Sequence, residues 1–516
     1  MIKSKILTVI DLRKKIVLLS IIVIITIISR LYLIMLIIDF RDPDTALYAT
    51  IARSILHLRF ECYWLYPQNL AYAHQMTYVP FPWSPHPLLP FLIAFSFLIF
   101  GESIWSVNLV AAIAGALALV PTFFLASRIF NTKTAILAIF LYPLIPIEMY
   151  YSSNANIDII SIPFAMATLY YYVKMLDEKK NYITPLFGGV FLGLSFLSRE
   201  SAGVALAIAL SIYTIVWNRH IFLDKRLWVA FSCFMLVIMP WLCYNQLTFG
   251  VPITVATANI APFGTSILAN REIWIARAIN FLYAYPYVLY LMVPLLSFFA
   301  ATSMFLTRHE GKHVNIVYLF IAMIFGMYSF AAGNLPQHRF IIILLPLVSI
   351  LASSSILKIQ SLVEQNSGVN NQRNIFVFVI VTLNILSLMP QIVNLPMINS
   401  VSFSSQRGYW PMHMWIKNNT PQSSIIMTAD PRFAFFTDRA GVQIPSGSLE
   451  DIIDIIKLLH VDYLVIDEYA CTRWKALNPL YSQDHDVLKE FKLIYIQQNP
   501  KIVVYDVSSF WQNGEV

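Results

Sequence analysis

Charged side chains in this chain sit where apolar runs end. Asp42 and Asp44 follow the run Ile16–Ile38, with Tyr48 four residues beyond Asp44. Glu102 follows the run Leu88–Phe100, Asp158 opens a later run, Arg199 and Glu200 separate two more, and His338 and Arg339 precede another. Charge beside hydrocarbon is costly, so residues placed this way are functional candidates. Their types suit two tasks. A positioned carboxylate takes a proton from an attacking hydroxyl, and a guanidinium, charged at every physiological pH, grips an oxyanion with its planar fork. On a helix Tyr48 would share a face with Asp44. Joint action requires that all of them open on one side of a membrane.

The composition supplies the membrane. Of 516 residues 58% are hydrophobic and 12% charged, about half the charged fraction of soluble domains. The net charge of +7 does not point to nucleic acid, because Lys and Arg concentrate in short loops, as they do where loops meet a cytoplasmic leaflet. Runs long enough to span, about 17–25 residues each, fall near 16–38, 104–127, 134–151, 158–175, 183–198, 201–217, 227–246, 280–305, 314–332, 339–357 and 374–394. Leu88–Phe100 is too short to span and suits a re-entrant or interfacial helix. With that segment kept on one side, Lys3–Lys15, Arg128 and Lys133, Lys174–Lys180, Arg219–Arg226, Arg308, Lys312, Lys358 and Arg373 all become cytoplasmic. The positive-inside rule then predicts about eleven spans, a cytoplasmic N-terminus and an external C-terminus. Ile16–Ile38 is too long for a signal-peptide core, so a multi-pass plasma-membrane protein is expected. In that topology Asp42, Asp44, Glu102, Asp158, Arg199, Glu200, His338 and Arg339 face the same, outer side.

Two outer segments stand out. Residues 39–103 form a long loop rich in Tyr and Trp, in which Pro80, Pro82, Pro85, Pro87 and Pro90 rule out one continuous helix. Residues 395–516 read as a small external α/β domain, set apart from the transmembrane domain 1–394. Its expected elements are a helix over 411–419, a strand over 424–428, a helix over 451–459, a strand over 463–466 and a hairpin of 493–497 with 502–507. The cysteines, Cys62, Cys233, Cys243 and Cys471, lack metal-binding spacing. Cys62 and Cys471 read as free thiols or as an external pair.

Several of these motifs resemble those of lipid-linked-sugar glycosyltransferases of the glycosyltransferase C fold, the protein O-mannosyltransferase and aminoarabinose transferase relatives. The stretch Asp44-Thr45-Ala46-Leu47-Tyr48 through Ala52-Arg53 is similar to the start of that family's first external loop. His86-Pro87-Leu88 with Gly101-Glu102-Ser103, Asn156-Ile157-Asp158, Leu197-Ser198-Arg199-Glu200 and His338-Arg339-Phe340 resemble its later motifs, in order, over roughly residues 15–360. Two positions depart from the pattern: Thr45 stands where the family has Glu, and only one proline follows His86.

The resemblance implies a polytopic α-helical membrane protein that moves a sugar from a polyprenyl-phosphate donor to a protein, lipid or glycan acceptor, with inversion. Asp44 is the expected base, with Asp42 as its substitute. Arg199 and Arg339, assisted by His338, would hold the donor phosphate, whose charge grows as the bond breaks. Tyr48, His86, Glu102, Asp158 and Glu200 are expected at the substrates. A divalent metal is left open, with no convincing ligand set. Plainer roles compete: Asp44 and Asp158 are suited to capping helices, Arg199-Glu200 to pairing within a turn, and His86 to shaping a proline-rich loop. Arg30, inside the first run, is expected to snorkel outward or to pair with an outer-loop carboxylate. A transporter or flippase would also place charges in a bundle, but usually near the midplane of repeated halves, and no repeat is evident.

Overall fold

The computed structural model describes residues 2–36, 43–58, 64–65, 86–178, 181–249, 252, 271–307, 309–311, 313–331, 338–367, 379–380, 382–383, 386, 409–445, 447–483 and 491–512. Among the described residues six helices are long and apolar enough to cross a membrane: Lys14–Met35, Ile104–Ile129, Ile157–Asp177, Glu200–Trp217, Lys225–Leu247 and Arg339–Gln365. Shorter apolar helices cover Leu88–Phe100, Thr132–Leu144, Ile183–Ser198, Pro294–Leu306 and Asn315–Ser329. Two expected spans are interrupted. Residues 134–151 break at the 3-10 turn Tyr142–Leu144 and restart at Pro146, and residues 280–305 break between Met292 and Pro294, because proline withholds a backbone donor and crowds the turn before it. The expected run 374–394 lies largely outside the described residues.

The chain folds as two compact units, Met1–Leu36 with Asn108–Leu395, and Ile37–Val107 with Pro396–Val516. The described parts of the first outer loop, 43–58, 64–65 and 86–103, therefore belong with the C-terminal residues rather than with the rest of the helices.

In the helical unit the first helix turns bare apolar side chains outward, with Ile24, Ile25 and Ile28 each more than half exposed, a surface that hydrocarbon accepts. Small residues set the tightest packing, as they do between helices in lipid. A Cβ on Gly189 would lie 2.0 Å from the carbonyl oxygen of Ala230, so the Ile183–Ser198 and Lys225–Phe249 helices nearly touch backbones there. Two guanidiniums near helix ends are paired. Arg128 Nε donates to Asp177 Oδ2 at 2.9 Å, and Arg226 is held by Asp224 and the Met175 carbonyl. Deep inside, Arg30 meets Glu148, and both are buried. Its Nε donates to Ser152 Oγ at 2.8 Å and its Nη2 to the Pro143 carbonyl at 2.5 Å. Arg30 thus pairs with a carboxylate, buried inside the unit instead of snorkelling.

The second unit holds one six-stranded sheet in the order β1-β3-β2-β4-β6-β5. The strands are β1 (Trp64–Leu65), β2 (Ile425–Thr428), β3 (Ala440–Gln443), β4 (Tyr463–Asp467), β5 (Lys492–Gln498) and β6 (Lys501–Asp506). β1, β3, β2 and β4 run parallel, while β6 is antiparallel to β4 and β5. Side chains alternate between two apolar cores, the period of two that strands impose. Met427, Leu464, Ile466, Val503 and Tyr505 pack with Ile452 and Ile456 of the Leu449–Leu458 helix. Ile426, Val465, Ile502 and Val504 pack with Met412 and Ile416 of a helix over 409–419. The Leu449–Leu458 helix opens on a capping box in which Ser448 and Asp451 satisfy each other's backbone N–H groups.

Candidate active site

In the helical unit the site is built on two helix starts. Asn108 Oδ1 accepts from the Ala155 N–H at 3.0 Å, and Asn156 Oδ1 from the Asp158 N–H at 2.9 Å. Asn156 is therefore the cap of the Ile157–Asp177 helix, which leaves the carboxylate of Asp158 available. It pairs with Arg199.

Arg199 lies between the helices Ile183–Ser198 and Glu200–Trp217 in extended backbone, with φ −157° and ψ 106°. The two helices close tightly beyond it: a Cβ on Gly203 would come within 2.5 Å of the Phe196 Cα, so only glycine fits. The guanidinium sits 5.2 Å from the Tyr328 ring and 5.1 Å from the Phe340 ring. Those rings stack on each other 4.6 Å apart at 8°. Arg199 Nε donates to Ser201 Oγ at 3.3 Å, and Ser201 shares a 2.7 Å hydrogen bond with the Tyr328 hydroxyl. Only 6% of Arg199 is exposed. A cation fixed against aromatic faces and a carboxylate is already desolvated and oriented, the state in which it stabilises a developing anion without reorganising.

The neighbouring Glu200, 4% exposed, has no hydrogen-bond partner on either carboxylate oxygen among the described residues. Such a buried group costs free energy until a ligand or water donates to it. Arg339 lies 5.3 Å from the Phe340 ring. His338 opens the 3-10 segment His338–Leu344, but its side chain lies outside the described residues. One further guanidinium was not expected here: Arg277, 4% exposed, donates from Nη1 to the Ser329 carbonyl at 2.9 Å, beside Tyr328. In sequence it looked like one more loop charge, and no spacing signal marked it.

In the second unit Asp44 lies in the first turn of the Pro43–His57 helix, with Tyr48 one turn on and 5% exposed. Asp42 lies outside the described residues. His86 stands just before the Leu88–Phe100 helix, separated from it by Pro87. Glu102 is held by Arg53 and His57. Arg53 Nε donates to its Oε2 at 2.5 Å, and His57 contacts its Oε1. Among the described residues no group of three or more His, Cys, Asp or Glu side chains is placed to share a metal ion.

Two cavities in the helical unit lie away from these charges. One, of about 210 Å³, is apolar, with Tyr171, Met175, Leu210 and Phe231 in its wall. The other, of about 430 Å³, has Lys133, Glu310, Lys358 and Glu364 in its wall. Tyr171 and Lys358 are roughly 20 Å or more along their helices from Asp158 and Arg339, at 1.5 Å per residue.

Residues 82–244 match a family model described as dolichyl-phosphate-mannose-protein mannosyltransferase. No curated protein sequence matches the chain. Among solved structures it is similar to ArnT from Cupriavidus metallidurans bound to undecaprenyl phosphate, at 13% identity and TM-score 0.60, over 97% of this chain and 98% of that one. It is likewise similar to the archaeal oligosaccharyltransferase AglB from Archaeoglobus fulgidus, in complex with an inhibitory peptide and a dolichol-phosphate. There the identity is 14% and the TM-score 0.59, over 96% of this chain and 74% of that one. The chain has the fold of these membrane enzymes: a bundle of apolar helices with a small C-terminal sheet domain.

Proposed function

We propose that this chain is an integral-membrane glycosyltransferase that transfers a sugar from a polyprenyl-phosphate donor to an acceptor hydroxyl or amide on the external face. The observation that carries the reading is Arg199, buried beside Asp158 and against the Tyr328 and Phe340 rings. A fixed, always-charged fork at a helix boundary suits the phosphate of a lipid whose tail lies in the bilayer. The matched mannosyltransferase family and the undecaprenyl-phosphate and dolichol-phosphate complexes of the similar structures support the same donor class.

In the reaction the acceptor oxygen or nitrogen attacks the anomeric carbon as the bond from that carbon to the phosphate oxygen breaks. The bonding pair stays on the phosphate, and direct displacement inverts the anomeric configuration. Asp44 takes the acceptor's proton. Arg199 and Arg339 meet the charge that grows on the leaving phosphate, with His338 and the buried Arg277 as further cations. The unpartnered Glu200 carboxylate is suited to accept from sugar hydroxyls, and Tyr48 and His86 to line the acceptor side.

Transfer of a radiolabelled sugar from its polyprenyl phosphate by purified protein in liposomes tests this. Wild type is expected to move label to an acceptor, or slowly to water, and Asp44→Asn to do so about 10²–10⁴-fold more slowly, the usual contribution of a general base. Arg199→Lys, which keeps a cation beside the buried Asp158 but loses the planar fork, is expected to lose most turnover while remaining inserted and folded. Full transfer by both variants would refute the assignment. Label that crosses the bilayer with its donor bond intact would establish a flippase instead.

A further inference from the structure

The stretch Phe435–Val442 of the C-terminal domain touches the first outer loop at two places. At the first, Arg53 Nη1 donates to the Phe435 carbonyl at 2.8 Å and lies 3.5 Å from Asp438 Oδ1, while its guanidinium sits 4.3 Å over the Phe435 ring. At the second, Trp64 and Leu65 pair in parallel with Gly441 and Val442 as the edge strand of the sheet. Arg53 and the Trp64–Leu65 strand are thus both met by a stretch of eight residues lying nearly four hundred positions later. The far side of the contact is itself fixed. Asp438 ends the Arg432–Thr437 helix in a left-handed conformation, φ 54° and ψ 45°, and its Oδ2 accepts from Gln422 Nε2 at 3.1 Å. Arg53 Nε donates to Glu102.

We propose that the C-terminal domain is the body that positions the Asp44 helix, and that Arg53 is the positioning residue that fastens it. Asp44 and Arg53 share the Pro43–His57 helix, nine residues apart, so a helix pinned at Arg53 holds Asp44 in a set direction. Stability alone does not account for the cluster. Its side chains are 15% exposed for Arg53, 26% for Glu102 and 32% for Asp438, and pairs with that access to solvent contribute little to folding. Orientation is a different matter, because a displacement of about 1 Å at a reacting group can cost on the order of 10²-fold in rate. The proposal rests on Asp44 acting as the base, and gives the C-terminal domain a part in the reaction that does not depend on which acceptor is used.

The test is a double-mutant cycle on transfer kinetics in the full-length protein. Arg53→Ala is expected to lower kcat about 10–100-fold with the KM for the donor unchanged and the thermal unfolding midpoint near wild type. Asp438→Ala is expected to do the same to a smaller degree. The double variant should be no worse than Arg53→Ala, since Asp438 acts on the Asp44 helix only through Arg53. Arg53→Lys should recover only part of the loss, because an ammonium cannot meet Phe435, Asp438 and Glu102 in one plane. Additive losses, a change confined to KM, or losses that track the fraction of unfolded protein would overturn the proposal. If Asp44→Asn abolishes transfer while the Arg53 and Asp438 variants keep wild-type kcat, the clamp fails and the base assignment stands. Full activity of Asp44→Asn overturns both.

Discussion

Replacing Arg30 by methionine should unfold this protein far more readily than replacing Arg30 and Glu148 together. The pair is 2% and 0% exposed at its side chains. Arg30 also donates to Ser152 Oγ, the Pro143 carbonyl and Ser29 Oγ, the last at 3.0 Å. Removing the guanidinium alone leaves a carboxylate buried without its cation, a loss of about 3–5 kcal/mol in comparable settings. At about 1.4 kcal/mol per tenfold, that is a shift of two to three and a half orders of magnitude in the unfolding equilibrium. Arg30→Met with Glu148→Leu removes both charges and keeps apolar volume, so its cost should stay within about 1–2 kcal/mol, the usual range when a core is repacked at conserved volume. Equilibrium unfolding in mixed micelles, read by intrinsic fluorescence for wild type, both single variants and the double, measures the difference. Single variants as stable as the double would show that no uncompensated charge is created, and the buried pair would be refuted.

Two further outcomes follow from local geometry. Gly189→Ala should cost about 1–3 kcal/mol, as overpacked cores do, because its Cβ meets the Ala230 carbonyl at 2.0 Å; Gly193→Ala should cost less, since its Cβ meets the movable Val237 side chain at 2.6 Å, and thermal unfolding ranks the two. His413, 4% exposed and packed near Asp430 and Arg432, has its pKa lowered to about 4 by burial. Below pH 6.5 the unfolded chain binds a proton at His413 that the folded one refuses, so stability falls as pH drops from 6.5 toward 4. The loss reaches about 3 kcal/mol, and His413→Phe should flatten that part of a pH–stability profile; an unchanged profile would refute the buried neutral imidazole.

Much of the helical unit can be read from apolar runs, because hydrocarbon demands long uninterrupted stretches and tolerates few charges. Leu88–Phe100 and the turns at Asn156–Asp158 and Ser198–Glu200 lie where their sequence signals put them. Runs 134–151 and 280–305 misled because hydropathy averages over prolines that end a helix. In the C-terminal domain the alternating strands and the amphipathic helix over 449–458 were legible. β3 was not: Ala440-Gly441-Val442-Gln443 has one residue of high strand propensity and is held by its neighbours on both sides. The candidate site was legible in its charges and opaque in its surroundings. Nothing local marks Tyr328 as the wall for Arg199, 129 positions earlier, or Glu148 as the partner of Arg30. Glu102 stood in the expected motif yet is engaged by Arg53 and His57, a use that depends on a loop closing back on itself.

The two-residue strand β1 also dates the protein's assembly. Its partners, Gly441 and Val442, leave the ribosome about 375 residues after it does, roughly 20–75 s at 5–20 residues per second. Through that interval the helix bearing Asp44 has neither its edge pairing nor its contacts to Phe435 and Asp438. A nascent chain can therefore insert its helices and gather Arg199 and Asp158 early, yet hold its proposed base unanchored until residues 435–442 have been made. Emergence of Phe435–Val442 becomes the step at which the proposed machinery is completed, so chains truncated before residue 435 would be inserted in the membrane and inactive.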